Sequence, residues 1–371
     1  MIKVVICGGH FTPALAVIEK LLKKHNYNIC YFGRKRSLEG DNAESLEYKT
    51  LSSLNIPFKF ITTGRLQRSL SLFTILSLFK FPIGFSQSFY YLLKIKPDVI
   101  VSFGGYVALP VCLSAWILNI PIITHEQTHV LGLTNKIISR FVKVLCLSFK
   151  DTENVPNGVK TVFTGNPIRE SIKSSEVTDI ISFGNNKLPL LYITGGSLGS
   201  KAINEIIAKI IPSLCLRFRI LHQCGNANNR EDFKNLTRQK NALSSQYKNN
   251  YRVIEQIKPS AVGTILKNSF LVVSRAGANT IYEILTVGVP AILIPLPWAG
   301  QNEQEKNALL IKSIGLGEKI AQSELTPMLL LSTIETMQKN IEIYKKAKKR
   351  AEEIIRVDAA DEIVRLIDEY S

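Results

Sequence analysis

Short β-branched runs alternate with longer stretches of helical period along this chain, and the alternation occurs in two successive series. That pattern specifies parallel βαβ units, because only a crossover helix returns the chain to the start of the next parallel strand. In the first series the expected strands are 2–7, 27–32, 57–61, 98–102, 120–124, 143–147 and 160–164. In the second they are 188–194, 218–223, 251–254, 270–273 and 291–294. Two such series predict two doubly wound α/β domains, with the polar stretch RESIKSSEVTDIISFGNNK (169–187) as the linker between them. The tail from about 326 is helical in period and highly charged, and its last helix is expected to fold back on the first domain.

The length of 371 residues and an apolar share of 46% allow two substantial cores. A net charge of +16 biases the surface toward anionic partners. Nucleic acid is not expected among them, since no aromatic stacking platform or reader motif accompanies the charge. Cysteines at 7, 30, 112, 146, 215 and 224 contain no close-spaced pair and read as reduced core residues; no metal site is expected. Met-Ile-Lys runs straight into the first strand, so no secretory signal is expected. The longest apolar stretches, 70–93 and 107–123, are broken by Lys80, Pro82, Gly84, Pro110, Asn119 and Pro121, and neither reaches the roughly 20 residues that spanning a bilayer takes.

Ligands of doubly wound sheets lie beyond the carboxyl ends of the strands, which directs attention to the loops there. CGGHFTP (7–13) offers Gly8 and Gly9 for close backbone approach, His10 at the rim, Thr12 as a helix cap and Pro13 as the first helical residue. FGGYVALP (103–110) repeats the glycine pair with Gly104, Gly105 and Tyr106. HEQTHVLGLTNK (125–136) sets a dense polar cluster behind a buried strand; Glu126 can take a proton or orient a base, and Thr128 can bond a hydroxyl. TGGSLGSKAINE (194–205) aims backbone N–H groups and a helix N-terminus at an anion, with Gly196 and Ser197 foremost. SRAGANTIYE (274–283) does the same through Ala276, Gly277 and Ala278, and its Glu283 is placed to hold a ribose diol. GQNEQEKNA (300–308) supplies donors and acceptors suited to sugar hydroxyls.

Taken in order, GGH with PALAV, SFGGYV, HEQ with GLTNK, GNPIR (165–169), GGSLG, SRAGANTIYE and Gln304 with Asn307-Ala308 resemble the MurG family of glycosyltransferases, glycosyltransferase family 28, over nearly the whole chain. The resemblance implies a GT-B fold: two Rossmann-like domains facing each other across a cleft, with residues 1–165 and a C-terminal helix at about 352–371 on the acceptor and membrane side, and 166–351 binding the UDP-sugar. It implies inverting transfer of N-acetylglucosamine from UDP-GlcNAc to the C4 hydroxyl of undecaprenyl-linked lipid I, giving lipid II for the cell wall. By position, His10 or Glu126 would be the base, with Gly8, Gly9, Gly104, Gly105 and Tyr106 on the acceptor side. Gly196, Ser197, Ala278 and Thr280 would face the diphosphate, Arg275 and the Ile257 backbone the uracil, Glu283 the ribose, Gln304 and Thr128 the donor sugar, and Arg169 the donor at the domain junction. No cofactor or metal is implied, helix N-termini serving the departing diphosphate. The first loop is shorter than the family's usual GGTGGH, and Thr128 stands where the family usually has Asn.

Leu72, Ile75, Phe79, Phe81 and Phe85 interleave with Lys80 and its basic neighbours within 66–96, a composition suited to peripheral attachment at the anionic cytoplasmic face of the plasma membrane. Competing readings are a transferase of the same fold with another lipid acceptor such as a diacylglycerol, a UDP-sugar epimerase, and a nucleotide-binding scaffold without activity.

Overall fold

A computed structural model of the chain describes residues 1–34, 45–64, 72–173, 179–183, 187–196, 198–226 and 230–371, the side chains of Leu46 and of residues 72–79 excepted. It divides into two compact units, Met1–Arg169 with Arg356–Ser371, and Glu170–Ile355.

The first unit carries β1 (Ile2–Cys7), β2 (Tyr27–Gly33), β3 (Phe58–Phe60), β4 (Val99–Ser102), β5 (Ile122–Glu126), β6 (Val144–Leu147) and β7 (Thr161–Phe163). They form a sheet in the order β3-β2-β1-β4-β5-β6-β7, parallel throughout. Strand order reverses between β1 and β4, and that is where a doubly wound sheet opens a ligand crevice. Strands covered on both faces should read as continuous apolar runs, and Val4, Val5, Ile6 and Cys7 are all buried.

The second unit carries β8 (Leu190–Thr194), β9 (Arg219–Gln223), β10 (Tyr251–Ile254), β11 (Ser269–Ser274), β12 (Ala291–Leu293) and β13 (Gly317–Lys319). Its order is β10-β9-β8-β11-β12-β13, again parallel, with the reversal between β8 and β11. The fold is thus two Rossmann-like α/β units of the GT-B class.

Three local expectations are corrected. The edge strand β13 reads Gly-Glu-Lys, three residues without β-branched or aromatic character, so no strand pattern announces it. The first helix runs Phe11–Lys24 with His10, not Thr12, at its N-cap, which moves Pro13 to the third helical position. Its missing N–H is harmless there as well, because the first turn has no intrahelical acceptor to lose. β5 starts after Pro121 and runs to Glu126, so His125 and Glu126 are strand residues, registered against Cys146 and Leu147, not members of the following loop.

The chain's last helix, Ala359–Tyr370, packs on the Phe11–Lys24 helix of the first unit. Ala360, Ile363, Val364, Leu366 and Ile367 join the core formed by Leu15, Ile18 and Leu21, each large side chain contributing about 1.5–3 kcal/mol by burial. Ion pairing of Lys20 with Asp361 at 3.1 Å and the Tyr27 hydroxyl donating to Asp368 at 2.5 Å fix its register. All six cysteines are free and buried.

Candidate functional site

At the β1/β4 reversal the two glycine pairs interlock. Gly9 N–H donates to the Gly104 carbonyl at 2.8 Å, and Phe103 N–H to the Cys7 carbonyl at 2.8 Å. Gly8 has φ +141°, and an added Cβ would fall 2.8 Å from the Phe103 carbonyl carbon; one on Gly105 would fall 3.0 Å from Gly9 Cα. Gly8, Gly9 and Gly105 therefore allow backbone-to-backbone contact between the two turns, and Gly104, at φ +62°, faces the Asn135 side chain, whose Nδ2 would lie 3.0 Å from an added Cβ. Tyr106 follows directly, with the Arg34 guanidinium 4.6 Å above its ring.

This turn presents His10. Its Nδ1 stands 2.7 Å from the Gln127 amide nitrogen. Burial pushes the His10 imidazole below its ordinary value of 6.5, and the nearby Glu126 carboxylate works against that shift. The ring is accordingly neutral near pH 7, the state a proton acceptor needs.

Glu126 is only 3% exposed, and its carboxylate has four partners. Oε1 accepts from Thr128 N–H at 3.1 Å and lies 2.7 Å from Thr128 Oγ1, while Oε2 accepts from Gly132 N–H at 2.8 Å and Asn135 Nδ2 at 2.9 Å. Asn135 also donates to the His125 carbonyl at 3.1 Å, and its Oδ1 lies 3.1 Å from Thr124 Oγ1. Three N–H groups, with the Thr128 hydroxyl beside them, surround this carboxylate and tie β5 to the loop that follows it. The Thr128 hydroxyl, 8% exposed, is engaged within the same unit, 2.7 Å from the Val130 carbonyl.

The letters His125-Glu126-Gln127-Thr128-His129 spell the pattern of a zinc-binding helix, but only a helix brings those two imidazoles to one face. Here His125 is in β5, its Nε2 3.0 Å from the Gly165 carbonyl and 3.2 Å from Ser148 Oγ, and burial lowers it to about 4. His129 stacks on Phe149 instead.

In the second unit, a cavity of about 640 Å³ opens at the β8/β11 reversal. Two helix N-termini wall it. One is Lys201–Cys215, capped by Ser200; the other is Ala278–Val287, whose N-cap Gly277 offers no side chain to the first N–H groups. Gly196, Gly199, Gly277 and Thr280 line the cavity, and such a pair of N-termini suits a diphosphate. Gly199 is at φ +83°, and its added Cβ would lie 1.9 Å from the Cys224 carbonyl oxygen.

Arg275 lines the same cavity and is pinned there, with Nη1 donating to the Ile294 carbonyl at 3.0 Å and Nη2 to Gln322 Oε1 at 2.6 Å. Gln304 also lines the cavity, and its Oε1 accepts from Leu296 N–H at 3.0 Å. Ala278 is buried as the first residue of its helix, and Ile257 is buried in the loop after β10. Glu283, half-buried further along that helix, lies outside the cavity lining, and Arg169 is the last residue of the first unit's main segment. Ser197 lies outside the described residues.

Sequence reasoning did not single out Gln127, Asn135, Asn307, Gln322 or Trp298 as site residues. Asn307 is fully buried and donates to the Ala276 carbonyl at 2.9 Å, holding the turn before the phosphate-type helix. Trp298 lines the cavity while 72% exposed. Asn307 entered the sequence reading only as a motif letter beside Gln304, and nothing in a helix that reads as a charged surface helix marks its burial.

Of the segment expected at the membrane, the side chains of Leu72, Ile75 and Phe79 lie outside the described residues. Lys80, Phe81 and Phe85 are half-buried, whereas Ile83, Tyr90 and Leu93 of the same helix, Leu72–Ile95, are exposed. Among the described residues no helix is long and apolar enough to cross a membrane.

Comparison with known proteins places these features in a family. Residues 5–146 match the glycosyltransferase family 28 N-terminal domain and residues 190–363 the family 28 C-terminal domain. A Clostridium perfringens protein named as a UDP-N-acetylglucosamine–N-acetylmuramyl-(pentapeptide) pyrophosphoryl-undecaprenol N-acetylglucosamine transferase is 35% identical over 350 residues, 92% of each chain. A Treponema denticola protein of the same name is 34% identical over 93% of this chain and 90% of its own. The crystal structure of Acinetobacter baumannii MurG superposes with a TM-score of 0.71 at 29% identity, covering both chains fully. A UDP-GlcNAc 2-epimerase from Neisseria meningitidis, bound to UDP-GlcNAc, reaches a TM-score of 0.66 at 15% identity, a likeness of fold alone. With both domain models matched and full-length relatives at about a third identity, the chain belongs to glycosyltransferase family 28.

Proposed function

We propose that this enzyme transfers N-acetylglucosamine from UDP-GlcNAc to the C4 hydroxyl of the muramyl sugar of undecaprenyl-linked lipid I, forming lipid II. The observation that carries the reading is the full-length likeness to transferases of that name, which extends over both units. The hydroxyl oxygen bonds to the anomeric carbon on the face opposite the diphosphate, the bond from that carbon to the phosphate oxygen breaks, and the hydroxyl proton passes to His10. His10 is the better base because its ring is neutral and half-buried, whereas the Glu126 oxygens already accept from three N–H groups. The N-termini at Lys201 and Ala278, with the Gly195-Gly196 backbone, stabilise the departing diphosphate. Thr280 assists there, Gln304 addresses the donor sugar, and Arg275 with Gln322 bounds the base end of the cavity.

Attachment is peripheral, at the anionic cytoplasmic face of the plasma membrane. Exposed Ile83, Tyr90 and Leu93 beside Lys94 supply an apolar face with cations at its edge, each basic group near such a surface being worth about 1 kcal/mol.

The test is UDP release by the purified protein given UDP-GlcNAc and a short-chain lipid I analogue, with and without acceptor, and with analysis of the anomeric linkage. Acceptor-dependent release with a β-linked product is expected. Conversion of UDP-GlcNAc to an epimeric UDP-sugar without acceptor and without net UDP release would instead indicate an epimerase. Release with a diacylglycerol but not the lipid I analogue would move the acceptor.

A further inference from the structure

The side chain bonded to His10 belongs to Gln127, which is 7% exposed. A general base must serve in two states, first as neutral imidazole with a lone pair on the atom that meets the acceptor, then as imidazolium with protons on both nitrogens. With the amide NH₂ toward Nδ1, as the 2.7 Å contact is drawn, Nδ1 is the acceptor and the single proton of the neutral ring sits on Nε2. That arrangement leaves Nε2 unable to take a proton, and it sets NH₂ against N–H once the ring is charged.

The two ends of a carboxamide have the same shape, and which end faces a neighbour is decided by the hydrogen bonds available. With the ends exchanged, Oε1 accepts Nδ1–H at the same separation, Nε2 gains its lone pair, and the bond survives protonation because Nδ1–H is present in both states. We infer that Gln127 is the positioning residue of His10: its amide carbonyl holds the Nδ1–H tautomer, aims the ring and supports the imidazolium formed on proton transfer. An amide in this place orients the ring without charging it at rest, and the nearby Glu126 carboxylate supplies the longer-range charge that favours the protonated ring. The inference rests on the reading of His10 as the base.

Three variants test it: Gln127→Leu, Gln127→Glu and His10→Ala, with acceptor-dependent UDP release followed from pH 5.5 to 9 and folding checked by thermal melts. Gln127→Leu is expected to lower kcat ten- to a hundredfold with the KM for UDP-GlcNAc unchanged. Gln127→Glu places a carboxylate on Nδ1–H, raises the pKa of the ring and moves the acid limb of the kcat profile upward by a pH unit or more, while retaining more activity than Gln127→Leu. A folded Gln127→Leu protein with the kcat and pH profile of the parent would overturn the inference, as would a Gln127→Glu profile with an unmoved acid limb. If His10→Ala keeps the parental kcat, the assignment of the base is what fails, and this inference falls with it. A large loss in His10→Ala with no effect in Gln127→Leu would remove the role of Gln127 alone.

Discussion

Asn135 Nδ2 stands 2.9 Å from Glu126 Oε2, inside the first unit, with both side chains at 3% exposure. A hydrogen bond to a buried charge is worth about 1.5–3 kcal/mol, and its loss leaves a carboxylate oxygen with one donor fewer. Asn135→Ala is therefore expected to destabilise the first unit by about 2–3 kcal/mol in urea unfolding. Asn135→Asp should cost more at pH 7, where two carboxylates would meet, and recover part of the loss at pH 5 as one is protonated. Equal effects of the two variants at pH 7 would show that the Glu126 charge is not what Asn135 serves.

Gly199 holds the loop that walls the cavity from the β8 side. Its left-handed φ of +83° and the 1.9 Å separation between an added Cβ and the Cys224 carbonyl oxygen leave no room for a side chain. Gly199→Ala is expected to displace the loop, weakening UDP binding at least tenfold by calorimetry. Gly196, three residues earlier, has φ +87° but no protein atom within 4 Å of its added Cβ, so Gly196→Ala should leave the loop in place and cost the fold only about 1 kcal/mol of backbone strain. Matching losses in the two variants would assign the effect to backbone conformation alone.

The strands that carry these loops were legible because buried parallel strands are apolar on both faces, as Val4–Cys7 and Leu190–Ile193 are. The loops were legible because glycine, histidine and amide residues gather just beyond the strand ends. What a single sequence hides is the direction of a side chain. Glu126 and His10 are both conspicuous, and only the folded structure reveals that one accepts from three N–H groups while the other meets an amide. The two glycine pairs show the same limit, since Gly9 and Gly104 serve each other through a 2.8 Å backbone bond. β13 escaped notice because Gly-Glu-Lys owes its conformation to its pairing with Ala291, Ile292 and Leu293 and not to its own propensity.

Gln304 commits its carbonyl oxygen to Leu296 N–H at 3.0 Å and lines the cavity of the second unit. On the proposed assignment to the donor sugar, Gln304→Ala removes one neutral hydrogen bond, worth about 1 kcal/mol, together with the restraint on the Leu296 backbone. The KM for UDP-GlcNAc should rise about five- to tenfold, with the affinity for UDP itself nearly unchanged. If UDP binding weakens as much as UDP-GlcNAc binding, Gln304 serves the loop and not the sugar.

Membrane attachment through the Leu72–Ile95 helix predicts a dependence on both apolar and cationic groups. Ile83→Asp should release the protein from vesicles containing phosphatidylglycerol, because Ile83 is 51% exposed and is not needed by the core. Lys94, above the Tyr90 ring at 4.6 Å, should contribute about 1 kcal/mol, so that Lys94→Glu weakens cosedimentation severalfold at low salt and less at high salt. Binding to neutral and anionic vesicles with equal strength would remove the cationic part of this account.

Stability should fall on mild acidification, and the sign follows from the buried imidazoles. Burial lowers His125 to about 4 and His222 to about 3, while in the unfolded chain both return to about 6.5. His222 is fully buried and both its partners are neutral, Nδ1 lying 2.8 Å from the Tyr251 hydroxyl and Nε2 3.0 Å from Asn204 Oδ1, so the cost of burying the charge dominates. Above pH 6.5 neither state holds the extra proton and nothing is lost. Between 6.5 and about 4 the unfolded state binds more protons than the native one, so stability declines as pH falls, approaching about 1.4 kcal/mol per pH unit for each imidazole. Urea midpoints at pH 7, 6 and 5, a range in which most carboxylates stay ionised, should decrease in step for both units. Replacing His222 by Asn should flatten the slope of the second unit and leave that of the first. A profile flat from pH 7 to 5 in the parent protein would mean that these rings accept protons in place, and the burial argument would fail.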